Sequence, residues 1–180
     1  MKRRSVLFLA LAVPALLFGT TVIPMGLEKL ASVSTHIVEA RAVRSVSQWN
    51  AEHTLILTYT NFEVRRTLKG ETPHTILVRQ LGGTVNGISQ RVAGVRHWRP
   101  GDEAVLFLQP SSIPDGALVV TGLMQGNFLM RHTPQGQIFV SNGMPEVSEF
   151  HAATSEVTSY RGNKLRLEDL ESRIQKAVRK

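Results

Sequence analysis

From residue 36 to residue 140 the chain is a succession of short apolar runs, each closed by glycine, proline or asparagine before a helical period can build. No feature limits the fold more. Thr58, Thr60, Phe62 and Val64 alternate with Tyr59, Asn61, Glu63 and Arg65, the period of two that a half-buried strand requires. Residues 36–46, 54–68, 75–79, 117–123, 127–132 and 137–140 read as further strands of this kind. Residues 103–108 contain Ala104-Val105-Leu106-Phe107-Leu108 without alternation, which predicts a strand buried on both faces. Pro114-Asp115-Gly116 is a tight turn, because proline presets φ and glycine accepts a positive value. Strands joined by such turns, with no long helix between them, pair antiparallel.

The expected fold is therefore mainly β: an antiparallel, partly closed barrel of roughly five to seven strands, with a flat sandwich as the alternative. Two helices flank it. Leu27, Leu30 and Val33 recur along one face of a short helix over 26–33. Leu167, Leu170, Ile174 and Val178 do so near the end, with Glu168, Asp169 and Glu171 early and Arg173, Lys176, Arg179 and Lys180 late. Acids at the start and bases at the end suit the helix dipole. This amphipathic helix, 164–180, is expected to dock on the barrel; its basic face lying on a membrane is the second reading. Residues 45–53 read as a polar turn around Trp49, 81–100 as a glycine-rich loop or loose hairpin, and 144–163 as a linker across the surface.

The first 21 residues are organised differently. Lys2, Arg3 and Arg4 precede an apolar stretch over 5–18, and the small residues Gly19, Thr20 and Thr21 follow. This is the layout of a secretory signal peptide. Gly19 and Thr21 suit cleavage after Thr21, although no A-x-A triplet is present. An uncleaved anchor is the other reading, but Pro14, Gly19 and Pro24 interrupt the roughly 20 apolar residues that a spanning helix needs. The domain division is thus 1–21 signal, 22–143 barrel, 144–163 linker and 164–180 helix. The protein is expected to be exported, periplasmic or secreted, and to meet a membrane only if the signal is retained.

Composition then narrows the function. With 42% hydrophobic and 19% charged residues the 180-residue chain is globular. It has no cysteine, which excludes a disulfide scaffold, a thiol nucleophile and cysteine-ligated metal. The formal charge is +7, and three of the 21 basic residues precede Val22, leaving +4 on the mature chain. So small an excess bears on solubility more than on a polyanion partner. No G-x-S-x-G, S-x-x-K, H-E-x-x-H, G-x-G-x-x-G or Walker loop occurs, and the six histidines are nowhere paired at metal-ligand spacing. Gly82-Gly83-Thr84-Val85-Asn86-Gly87 lacks the following Lys-[ST] of a phosphate loop and reads as strand punctuation.

The sharpest local feature is Arg91 followed by Arg96-His97-Trp98-Arg99 in the glycine-rich stretch. Functionally it is a basic-aromatic surface, with Trp98 stacking on a ligand while arginines hold anionic groups. Structurally, Trp98 plugs the barrel and the arginines are solvated. Arg91, Arg96, His97, Trp98 and Arg99 are the candidate binding residues; no catalytic or metal-ligating residue and no cofactor is expected.

The residue string from Thr20-Thr21-Val22 through Leu27-Glu28-Lys29-Leu30, Leu68-Lys69-Gly70, Leu81-Gly82-Gly83, Pro100-Gly101-Asp102-Glu103 and Gly122-Leu123-Met124-Gln125-Gly126-Asn127-Phe128 resembles a family of exported bacterial proteins of unassigned activity. In its middle part it also resembles, distantly, the netrin-like modules, which are barrels of the oligonucleotide/oligosaccharide-binding (OB) type and include tissue inhibitors of metalloproteinases. The resemblance implies a barrel. It does not carry the inhibitory mechanism, which uses an N-terminal cysteine that this chain lacks. The expected function is a non-catalytic exported binding module for a protein or glycan of the envelope, with no nucleic acid. An inhibitor or chaperone of an exported protease is one alternative. A hydrolase with an unrecognised site, pairing His97 or His132 with Asp102 or Glu103, is another.

Overall fold

The computed structural model describes residues 21–144, 147–151, 154 and 156–179. The signal expected over 1–21 lies outside the described residues, apart from Thr21. In chain order the first elements are β1 (Thr21–Val22), α1 (Leu27–Val33), β2 (His36–Trp49), β3 (Ile56–Lys69), β4 (Thr75–Leu81), β5 (Gly83–Val85) and β6 (Ile88–Gln90). There follow β7 (Glu103–Pro110), β8 (Leu118–Val120), β9 (Asn127–His132), β10 (Ile138–Ser141), β11 (Ser148–His151), β12 (Glu156–Ser159), β13 (Lys164–Arg166) and α2 (Leu167–Val178).

Five strands close on themselves. β2 pairs with β3 and β7, β3 with β4, and β8 with both β4 and β7. The pairs in this ring are antiparallel except β4 with β8, which is parallel and consists of Val78 opposite Leu118. One rung therefore closes the barrel at that seam. Beyond β7 the sheet continues through β9, β10 and β13. The mainly β, partly closed barrel with one short helix and one C-terminal helix is the class the sequence predicts.

Two of the three buried clusters among the described residues lie on opposite faces of this sheet. Inside the barrel lie Val38, Ala40, Ala42, Phe62, Ile76, Val78, Trp98, Ala104, Leu106 and Leu108. Outside it, α1 and α2 cover β2, β7, β9 and β10 through Leu27, Leu30, Ile37, Val105, Phe107, Phe128, Val140, Leu170 and Ile174. Strand β7 contributes alternate residues to both, which is why its sequence is apolar without a period. Each large side chain so buried contributes about 1.5–3 kcal/mol of transfer free energy. Arg66 adds a polar tie on this outer side: its Nε donates to Glu39 of β2 at 2.7 Å, and it also pairs with Glu171 of α2.

Three local expectations differ from the structure, and the hairpin expected as one reading of 81–100 is present. β2 runs on to Trp49, and the polar turn starts at Asn50, whose Oδ1 accepts the N–H groups of Thr54 and Leu55. The 81–100 stretch contains a true hairpin, β5–β6, turned by Asn86 and Gly87, both at positive φ, as a type I′ turn requires. The strand expected over 117–123 stops at Val120, because Gly122 and Leu123 are both left-handed and lead into a 3-10 turn, Leu123–Gly126. The helix expected from 164 starts at Leu167; Lys164–Arg166 is a strand on β10.

The expected linker, 144–163, also carries structure. β11 and β12 form a hairpin, β11 pairs parallel with β1, and Met144, Val147 and Tyr160 are buried with Val22 and Met124. Strands this short leave too few apolar positions to show a period, and their partner β1 lies more than a hundred residues away in the chain.

Candidate functional site

The loop after β6 has no regular structure before β7, yet it is fixed at both of its polar-aromatic residues. Trp98 is 3% exposed and meets Phe62 edge-on at 4.8 Å between ring centroids. Its Nε1 donates to Asn127 Oδ1 at 3.2 Å. Ser45 Oγ donates to the Trp98 carbonyl. Arg96 reaches the other way, and its Nη2 donates to the Gly143 carbonyl at 2.6 Å. The alternative in which Trp98 stacks on a ligand is therefore corrected: the indole is packed into the barrel interior beside Phe62.

The side of this loop facing β5 and β6 forms a cleft of about 460 Å³ lined by Arg91, Arg96, His97, Thr84, Ser89 and Gln90, among others. Its back wall is tight. A Cβ on Gly83 would collide with the Thr58 and Ser47 hydroxyls, which hydrogen-bond each other at 2.8 Å, so only glycine lets β5 lie this close to the barrel. His97 Nε2 lies 3.0 Å from the Leu81 carbonyl. A carbonyl can only accept, so Nε2 carries the proton. Arg91 is exposed and makes no hydrogen bond or ion pair among the described residues. Arg99 is exposed but does not line the cleft; its backbone N–H is held by Asp102 Oδ2 at 2.8 Å. Of the five candidates, three share the cleft, one is core and one stands apart.

Val95 lines this cleft and also a second one across the loop, of about 420 Å³, with Arg79, Gln80, Ile113 and Leu123. Nothing in the sequence marks these residues as a site except the polar pair Arg79-Gln80 before Leu81 at the end of an otherwise apolar strand. Arg79 Nη1 donates to Asp115 Oδ2 at 3.1 Å, Tyr59 donates to the same oxygen at 3.1 Å, and the Ala117 N–H donates to Oδ1. Burial pushes the Asp115 carboxyl up, but these donors and the Arg79 charge outweigh it and hold it below its usual range. Burial, then the bond to Asp115, pushes the Tyr59 hydroxyl up.

Asp115 has a lower pKa folded than unfolded, so its contribution is present above the unfolded value near 3.8 and is lost as pH falls through the folded one. Between about pH 5 and pH 2, the unfolding free energy of the native protein should drop more steeply than that of Asp115→Asn. Parallel curves in urea titrations would contradict this network.

Of the histidine–carboxylate pairings open to a hydrolase, one forms. His132 Nε2 is 2.7 Å from Glu103 Oε2, with the side chains 58% and 33% exposed on the open strand face. His97 is instead engaged with Leu81. Among the described residues no group of three or more histidine, aspartate or glutamate side chains could hold a metal, and no helix is long and apolar enough to cross a membrane. No protein-family model and no curated protein matches this chain.

Proposed function

We propose that this protein is an exported binding module that holds an acidic segment of another envelope protein in the cleft of Arg91, Arg96 and His97. The observation that carries the reading is a loop without regular structure that is nonetheless pinned, by Trp98 and Arg96, with a polar cleft along it. Binding residues positioned by a rigid scaffold lose little freedom on association. The lining supplies Arg91 and the hydroxyls of Thr84 and Ser89, and no carboxylate, while the His97 Nε2–H is already given to Leu81. Anionic groups suit it. With Trp98 buried, the cleft offers no tryptophan, tyrosine or phenylalanine face on which a sugar could stack, so a protein segment is favoured over a glycan.

Capture from an envelope extract tests this. Arg91→Glu should fold normally, within about 0.5 kcal/mol of the native protein, as exposed substitutions do. It should weaken partner retention on the order of tenfold and reduce its salt dependence. Unchanged capture by Arg91→Glu would remove the cleft from the reading. A single stoichiometric protease among the captured proteins would identify the module as that protease's inhibitor or chaperone.

The hydrolase alternative keeps one observation, the His132–Glu103 pair. It requires His132→Ala to abolish an ester- or peptide-cleaving activity of the purified native protein, where Arg91→Glu does not.

A further inference from the structure

We propose that the seam of the barrel is a second binding site, for a small apolar molecule ending in a carboxylate. β4 and β8 meet at Val78 and Leu118. Residues that follow on each strand, Arg79, Gln80 and Leu81 on one and Val119 and Val120 on the other, line the cleft of about 420 Å³. Val95, Ile113 and Leu123 complete the apolar part of the lining. Its size and mixed character are those of a small-molecule site.

Three observations point to an occupant. Leu81, Ile113 and Leu123 are 40%, 47% and 40% exposed, three large apolar side chains left to water around one opening. Leu123 is held there at φ 58, a conformation that costs a residue with a Cβ and persists only where the surroundings impose it. Inside, the Arg79 guanidinium has N–H groups to spare. Its side chain is 9% exposed, Nη1 donates to Asp115, and the group also interacts with the Tyr59 hydroxyl, which leaves part of its five-donor fork unused.

Charge selects the head group. The lining holds one cation and no anion, and Asp115 is already occupied by Arg79, Tyr59 and Ala117. A carboxylate accepts from the guanidinium N–H groups that Asp115 leaves over, and charge-assisted bonds of this kind are the strong ones. An amine would meet like charge. An alcohol would leave donors unmatched.

The test titrates the purified native protein with decanoate, decanol and decylamine, each below its aggregation limit, and follows methyl and amide NMR shifts. Decanoate should bind about tenfold or more tightly than decanol, with shifts on Leu81, Val95, Ile113 and Leu123. Decylamine should not bind. Ile113→Asp, a change at a half-exposed loop position, should abolish decanoate binding while leaving the rest of the spectrum intact. The paired change Arg79→Gln with Asp115→Asn, which removes both charges together, should make decanoate and decanol equal. Equal binding of the two by the native protein, or binding that survives Ile113→Asp, overturns the proposal. Arg91→Glu should leave decanoate binding untouched, so failure here and failure of the acidic-segment reading are separate results.

Discussion

Trp98→Ala is expected to lower the unfolding free energy by about 3–5 kcal/mol, the range for truncating a buried tryptophan. The indole is 3% exposed, packs edge-on against Phe62 and donates to Asn127 Oδ1. Its removal leaves a cavity among Ala40, Ala42 and Ala104, side chains too short to close it. It also leaves Asn127 worse off, because Asn127 Nδ2 already lacks a partner among the described residues, and an unmade buried bond costs about 1–3 kcal/mol. Urea unfolding measures this directly. A loss under about 1 kcal/mol would mean that the indole does not pin the loop. Trp98→Phe separates packing from hydrogen bonding, since it keeps most of the ring and loses the N–H.

A second large effect is expected at the C-terminal helix. Leu170→Ala and Ile174→Ala should each cost about 2–5 kcal/mol. Both side chains are fully buried against α1 and the outer face of the sheet, where they meet Leu30, Ile37, Phe107 and Phe128. By contrast Val178→Ala, at a position 39% exposed, should fall within about 0.5 kcal/mol of the native protein. If the three changes are alike in urea midpoint, α2 is not part of the fold's second core.

Much of that architecture is legible in the sequence, for identifiable reasons. The unbroken run from Ala104 to Leu108 announces burial on two faces, and the structure gives each face its own core. Leu170 and Ile174 stand in the helical stripe of the last segment and are the residues that dock. Other features lie beyond local pattern. The seam depends on one long-range pair, Val78 with Leu118, which leaves no trace in either strand's own sequence. The 144–163 segment gains its order from β1 and Met124, partners that no window around it contains.

The candidate site was half legible. Clustering of Arg91, Arg96 and His97 in a glycine-rich stretch is a surface signal, and the three do share a cleft. Trp98 sits in the same string yet points the opposite way. Which neighbour turns inward depends on where the interior has room, and here Phe62 and the small residues Ala40, Ala42 and Ala104 provide it. Arg79 gives no such signal, because a lone arginine at a strand end ordinarily faces water. Its burial follows from Asp115, which arrives from a turn 36 residues away.

If this protein meets its partner at the cleft carrying Arg91, a photo-crosslinking amino acid at Val92, which lines that cleft, should capture the partner in cells, with the same group at Lys29 on α1 as the control. One dominant crosslinked protein is expected from position 92 and none from position 29, and adding Arg91→Glu should weaken the product on the order of tenfold. Equal crosslinking from both positions, or none from position 92 with the protein exported and folded, would overturn the proposed site.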